Sequence, residues 1–196
     1  MVNLLKFKVQ IQLMDLRKKL ATRFDKNEKV RLAHLIADDP NLFSELWELI
    51  KTEDSPVPEY GSWVLESSFA LNPRLAEPHL EEMIEYFPQP NHNAIHRNLA
   101  KILAQVNIPE AYQGKLYDLC INRLLDPQVP VAIKAHSMDI AFNIADDIPE
   151  LQEELALVIQ DQIEFNSAGF KARGKRILQK IKKPKYHENG RKKRIT

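Results

Sequence analysis

The chain has 196 residues, 44% of them apolar, and 28 Lys/Arg against 27 Asp/Glu give a net charge of +1. That fits one domain with a sizeable core, while 5 Gly against 12 Pro exclude a sheet protein, whose frequent turns need left-handed backbone. A lone cysteine, Cys120, excludes a disulfide framework and a cysteine-based metal site, and predicts a reduced, cytoplasmic setting.

Residues 6–13 alternate polar and apolar, a period-2 pattern that reads as strand or as an upstream extension, with Met14 an alternative start. Lys6, Lys8, Arg17, Lys18 and Lys19 break every early apolar run, so no signal sequence is expected. Leu16, Leu20, Ala21 and Phe24 then follow helical spacing and predict a capping helix over 14–24. A first helix pair runs from Asp25 or Asn27 to Asp38-Asp39-Pro40, and on from Asn41 through Leu46, Trp47 and Ile50. Thr52 to Pro58 reads as a loop.

The second pair carries Tyr60, Trp63, Leu65 and Phe69, turns at Asn72-Pro73, and resumes near Glu77, because Pro78 is tolerated only in a first turn. Pro88 and Pro90 end it. The third pair presents Ile95, Leu99 and Leu103, turns at Ile108-Pro109-Glu110, and continues to Asp126-Pro127. The fourth turns at Ile148-Pro149-Glu150 and runs to Ile163; a closing half-repeat spans Ser167 to Ile181. At each corner proline fits the first position of the next helix, where its missing N–H had no partner. Glu110 and Glu150 then lie at the positive end of the helix dipole.

Corner prolines 40, 73, 109 and 149 stand 33, 36 and 40 residues apart, a spacing that marks helical repeats. The paired helices with proline corners, best matched at Ile108-Pro109-Glu110 and Ile148-Pro149-Glu150, resemble the HEAT and armadillo-like class over roughly residues 25–181. The resemblance implies an all-α fold, an α-α right-handed superhelix of about four helix pairs plus a closing helix, that binds protein along one face. A basic ladder at fixed positions of the second helices is missing. The expected organisation is an N-terminal extension or capping helix over 1–24, repeats over 25–182 and a basic tail over 183–196.

Charge is unevenly placed: net +5 over residues 1–24, −15 over 25–164 and +11 over 165–196. The expected function is therefore a non-enzymatic scaffold or adaptor whose acidic second-helix face takes a basic or apolar segment of another protein. Glu81, Glu82, Glu85, Glu153 and Glu154 are its candidate contacts. The alternative is a nucleic-acid-associated protein using Lys171, Arg173, Lys175, Arg176, Lys180, Lys182 and Lys183, then Arg191, Lys192, Lys193 and Arg194, to hold phosphates. Within the closing helix, Arg173, Arg176 and Lys180 form a stripe opposite Ile177, Leu178 and Ile181.

HEAT-like folds also include DNA glycosylases for alkylated bases, but these need a basic groove along the repeats, and −15 over residues 25–164 predicts an acidic one. His92 and His96, at i and i+4, share a face at zinc-ligand spacing without a third ligand, so the expectation is a polar helix face and no metal. His96 and His136 each precede a corner proline by thirteen residues, though the neighbouring apolar registers differ by one. Asp38-Asp39, Asp146-Asp147 and Glu150-Glu153-Glu154 read as helix-end electrostatics. Cys120 reads as core. With so few glycines there is no phosphate-cradling loop or nucleophile elbow, no cofactor is expected, and no apolar run approaches the ~18 residues of a membrane span.

Overall fold

The computed structural model describes residues 16–89 and 92–182. Residues 16–20 are helical (α1). They are followed by α2 (Lys26–Ala37), α3 (Pro40–Thr52), α4 (Val57–Leu71), a 3-10 segment (Pro73–His79), α5 (Leu80–Tyr86), α6 (Asn93–Leu103), α7 (Glu110–Leu125), α8 (Val131–Ile144), α9 (Pro149–Gln162) and α10 (Ala168–Lys182). No strand occurs among the described residues, and no helix there is long and apolar enough to cross a membrane. The strand-like residues 6–13 lie outside the described part.

Local chemistry sets the helix starts. The Asp25 carboxylate accepts from Glu28 N at 2.8 Å, and Asp39 accepts from Asn41 N at 2.9 Å, each supplying a partner to an otherwise unpaired N–H. Pro40 and Pro149 occupy the first helical turn, whereas Pro109 stands one position earlier, as the N-cap of α7. Three boundaries differ from expectation: the capping helix expected over 14–24 ends at Leu20 among the described residues, and two others lie in the second repeat. The loop after α3 ends at Pro56, because Val57 and Pro58 already form the first turn of α4. The second helix of that repeat does not resume near Glu77: Pro73–His79 is a 3-10 segment with Pro78 inside it, and the α-helix begins only at Leu80. Pro78 brings no N–H to an α-helical ladder, so the tighter winding persists until it is passed.

The first helices α2, α4, α6, α8 and α10 pack side by side in that order, and the second helices α3, α5, α7 and α9 lie alongside as another layer. Three second helices also lean on the next first helix, α3 on α4, α7 on α8 and α9 on α10. A continuous apolar cluster fills the space between layers, from Leu16 and Leu20 through Phe43, Trp47, Phe69 and Leu99 to Ile159, Phe170 and Ile177. Fully burying each such side chain stabilises the fold by roughly 1.5–3 kcal/mol. At the closing end the layers approach most tightly: a Cβ on Gly174 would lie 2.8 Å from Ile159 Cγ2. Only glycine lets α10 settle onto α9 there.

Polar contacts between repeats recur near the repeat period. Trp47 bonds to Glu82, Asn98 to Ser62, Arg123 to the Phe87 carbonyl and Tyr117 to the Leu151 carbonyl, at separations of 34–36 residues. Each repeat is thus tied to its neighbour by polar as well as apolar contacts, as a stacked array requires.

Candidate interaction faces

The two layers carry opposite charge. The first helices hold twelve Lys/Arg against four Asp/Glu, net +8; the second helices, counting Pro73–His79, hold four against twelve, net −8. The acidic charge expected on the face lined by second helices lies in that layer, while the first helices within residues 25–164 hold six Lys/Arg against four Asp/Glu, net +2. Half of the first-helix cations lie on α10.

On the second-helix layer, α5 and α7 enclose a groove of about 250 Å³. Ile84, Pro88, Leu116 and Leu119 form its apolar floor, with Glu85, Tyr112, Lys115 and Asp118 at the edge. The Tyr112 hydroxyl donates to Glu81 at 3.3 Å, and burial with the Glu81 and Glu85 charges raises its pKa. Glu81 and Glu85 are exposed beside this groove, and Glu153 and Glu154 are exposed further along, on α9. Glu82 is engaged within the fold instead, accepting the Trp47 indole N–H at 2.6 Å and pairing with Lys51, whose hydrogen bond holds its carboxyl below the usual range. It ties α3 to α5 while its side chain remains 47% exposed.

On the first-helix layer, side chains from five helices meet in one polar seam. Lys29 (α2) lies 4.6 Å over the Trp63 ring of α4, which stacks on Phe24 at 6.0 Å. Glu66, also on α4 and only 7% exposed, pairs with Lys101 of α6. On α8, His136 and Asp139 meet Arg173 of α10: Nη1 donates to Asp139, to the Ala135 carbonyl at 3.3 Å and to His136 Nδ1 at 3.3 Å. Burial raises the Asp139 pKa, against the pull of Arg173, Arg176 and Lys180. Lys180 sits 5.2 Å over Phe142.

Burial, with Arg173 and Lys101 nearby, pushes His136 down to about 4. Because its folded value is depressed, the unfolded chain takes up the proton first as pH falls, so stability is full above pH ~6.5 and is lost toward pH 4. For a side chain 19% exposed, and discounted for screening, this amounts to about 1–2 kcal/mol. Urea midpoints at pH 7 and pH 4.5 should show that His136→Gln loses less on acidification than the wild type by that margin; equal losses would rule out His136 as the source.

The sequence pattern sets the α10 stripe of Arg173, Arg176 and Lys180 opposite the apolar face, free for a ligand. In the structure Arg173 and Lys180 are turned onto α8, and Arg176 stands exposed within reach of the Asp139 charge. Lys171 pairs with Glu164 at 3.4 Å, while Lys175 and Lys182 are exposed. Lys183, Arg191, Lys192, Lys193 and Arg194 lie outside the described residues. His92 caps α6, its Nδ1 accepting from Ala94 N at 3.2 Å, and the His96 Nε2 donates to the Gln89 carbonyl. The two imidazoles thus have other partners, and no group of three or more metal-binding side chains occurs among the described residues. His96 packs edge-on against Phe87 whereas His136 meets Arg173, so the offset register places them in unlike surroundings. Cys120 is buried, with its thiol pushed up to about 12 by burial.

Glu66, Lys101, His136 and Asp139 do not stand out as a group in the sequence. Their only signal there is a polar residue at similar places of successive first helices, repeated at about the corner spacing. A family model described as a HEAT repeat domain matches residues 16–181. No curated protein and no solved structure matches the chain. The chain belongs to the HEAT repeat family, whose repeats generally serve as protein-interaction scaffolds.

Proposed function

We propose that this HEAT repeat protein is a cytoplasmic, non-enzymatic adaptor whose second-helix layer holds a segment of another protein carrying Lys or Arg beside an apolar side chain. The α5–α7 groove carries the proposal. Its apolar floor of Ile84, Leu116 and Leu119 suits an aliphatic or aromatic anchor, and Glu85, Asp118 and Glu81 beside it suit flanking cations. Anchoring in an apolar pocket provides affinity, and the acidic surroundings provide orientation and a faster encounter. The layer's net −8 extends that preference beyond the groove to Glu153 and Glu154.

The test places a photocrosslinking residue at Asn122, on the groove wall, in cells, and identifies the crosslinked segment. A single cation-flanked apolar segment is expected, and its affinity, measured with the synthetic peptide, should fall at least tenfold in Glu85→Lys/Asp118→Lys, about 1.4 kcal/mol or more. Crosslinks to nucleic acid alone, or a peptide affinity unchanged by the double substitution, would overturn the proposal.

A further inference from the structure

We infer that the first-helix layer is a second, independent interface, built for the phosphate backbone of a nucleic-acid duplex. Charge placement within the layer is the first ground. All four acids of these helices already have partners: Glu28 binds Arg31, Glu59 accepts from Ser55, Glu66 pairs with Lys101, and Asp139 with Arg173. Glu66 is buried and Asp139 half-buried, whereas Lys26, Arg97, Lys101, Arg176 and Lys180 are exposed. Along the seam the acids Glu66 and Asp139 are therefore set deeper than these five cations, so a ligand meets cations first.

Continuity is the second ground. The Lys29 ammonium feels the charges of Lys26, Glu66 and Lys101; His136 feels Lys101, Arg97 and Arg173; Asp139 feels Arg173, Arg176 and Lys180. The cations of α2, α6 and α10 thus stand along one line, with the paired Glu66 of α4 and the His136 and Asp139 side chains of α8 between them. Like charges held this close repel one another, and a polyanion relieves that repulsion while releasing its own counterions.

Span is the third ground. Four steps between neighbouring helix axes of roughly 8–10 Å make the line about 32–40 Å long, close to the ~34–36 Å of one duplex turn. A mononucleotide or a single phosphorylated side chain would occupy a fraction of it. No base-reading element projects from the seam, so recognition is of backbone and shape, without sequence preference. This moves nucleic-acid contact from the C-terminal helix and tail alone to a face to which α10 contributes one edge.

The test measures binding of the full chain to a 20-base-pair DNA duplex across a salt series, with Lys26→Glu/Arg97→Glu/Arg176→Glu as the seam variant. These three exposed side chains span the seam from α2 to α10 and are distinct from the paired Lys101 and Arg173. Arg74→Glu, an exposed position in the Pro73–His79 segment of the other layer, is the control, and thermal melting checks that each variant is folded. Expected are a wild-type affinity that falls steeply with salt, at least a tenfold loss in the seam variant with a salt slope shallower by about 2–3, and no loss in the control. Deleting residues 183–196 should leave a seam-dependent component. The inference is overturned if the wild type does not bind duplex at low salt, if the seam variant binds as the wild type does, or if anionic vesicles compete away all seam-dependent binding.

Discussion

Trp47→Ala should destabilise the protein by about 3–5 kcal/mol, lowering Tm by roughly 8–16 °C for a domain of this size. The indole is fully buried and touches three groups that hold the first two repeats together. Its N–H donates to Glu82 at 2.6 Å, its ring meets Tyr86 edge-on at 5.4 Å, and Lys51 stands 5.6 Å over it while pairing with the same Glu82. Truncation removes a large apolar surface, opens a cavity beside Phe43 and Ile50, and takes one hydrogen bond from a carboxylate that keeps only its lysine. Trp47→Phe retains most of the packing and loses the N–H, so it should cost about 1–2 kcal/mol. Since repeats couple mainly to neighbours, amide exchange should accelerate in α2–α5 far more than in α8–α10. A Tm shift below ~2 °C for Trp47→Ala, or equal losses for Ala and Phe, would show that the indole is not the tie described.

Why the corners were legible and the seam was not follows from how far apart the cooperating residues stand. Asp25, Asp39, Pro40 and Pro149 act on their own helix, within a turn, and their spacing alone placed the starts of α2, α3 and α9. Pro78 also acts locally, but one proline is compatible both with a first α-turn and with a 3-10 segment; the segment is 3-10, with Leu75 and Ala76 buried in the core. Glu66 and Lys101, or Asp139 and Arg173, lie a whole repeat apart. They become partners only once the helices are stacked in register, which helix periodicity does not specify.

The same reasoning explains why net charge alone did not show two layers of opposite charge. A sum of −15 over residues 25–164 says nothing about which layer carries it, because each repeat contributes one helix to each layer. Within residues 25–164 the first helices are net +2, and the excess is carried by the second helices, net −8, and by nine acids between helices, Asp38, Asp39, Asp146 and Asp147 among them. A domain of two oppositely charged layers can hold a cationic segment on one side and a polyanion on the other without either competing for the same surface. Such a separation suits an adaptor, since each partner is repelled from the face meant for the other.

Arg123→Ala should cost about 3–4 kcal/mol, nearly as much as loss of the tryptophan, although it removes a charged side chain. Arg123 is 8% exposed, and its Nη2 donates at 2.8 Å to the carbonyl of Phe87, the residue that ends α5. The guanidinium lies 3.8 Å from the centroid of the Phe87 ring, whose other neighbour is His96 of α6 at 6.1 Å. One side chain of α7 therefore satisfies a carbonyl at the end of a short helix and stacks on the aromatic that seals it. Truncation leaves that carbonyl buried without the donor and a void beneath Phe87, each worth about 1–3 kcal/mol. Arg123→Met separates the two effects: it keeps the stem and volume but has no donor, and should cost about 1–2 kcal/mol. Burial lowers the Arg123 pKa, the mark of a charge held at a desolvation penalty, so the opposite result has a clear physical meaning. If Arg123→Met proved as stable as the wild type, the penalty would equal the gain from the hydrogen bond and the ring, and Arg123 would serve the array by filling space alone.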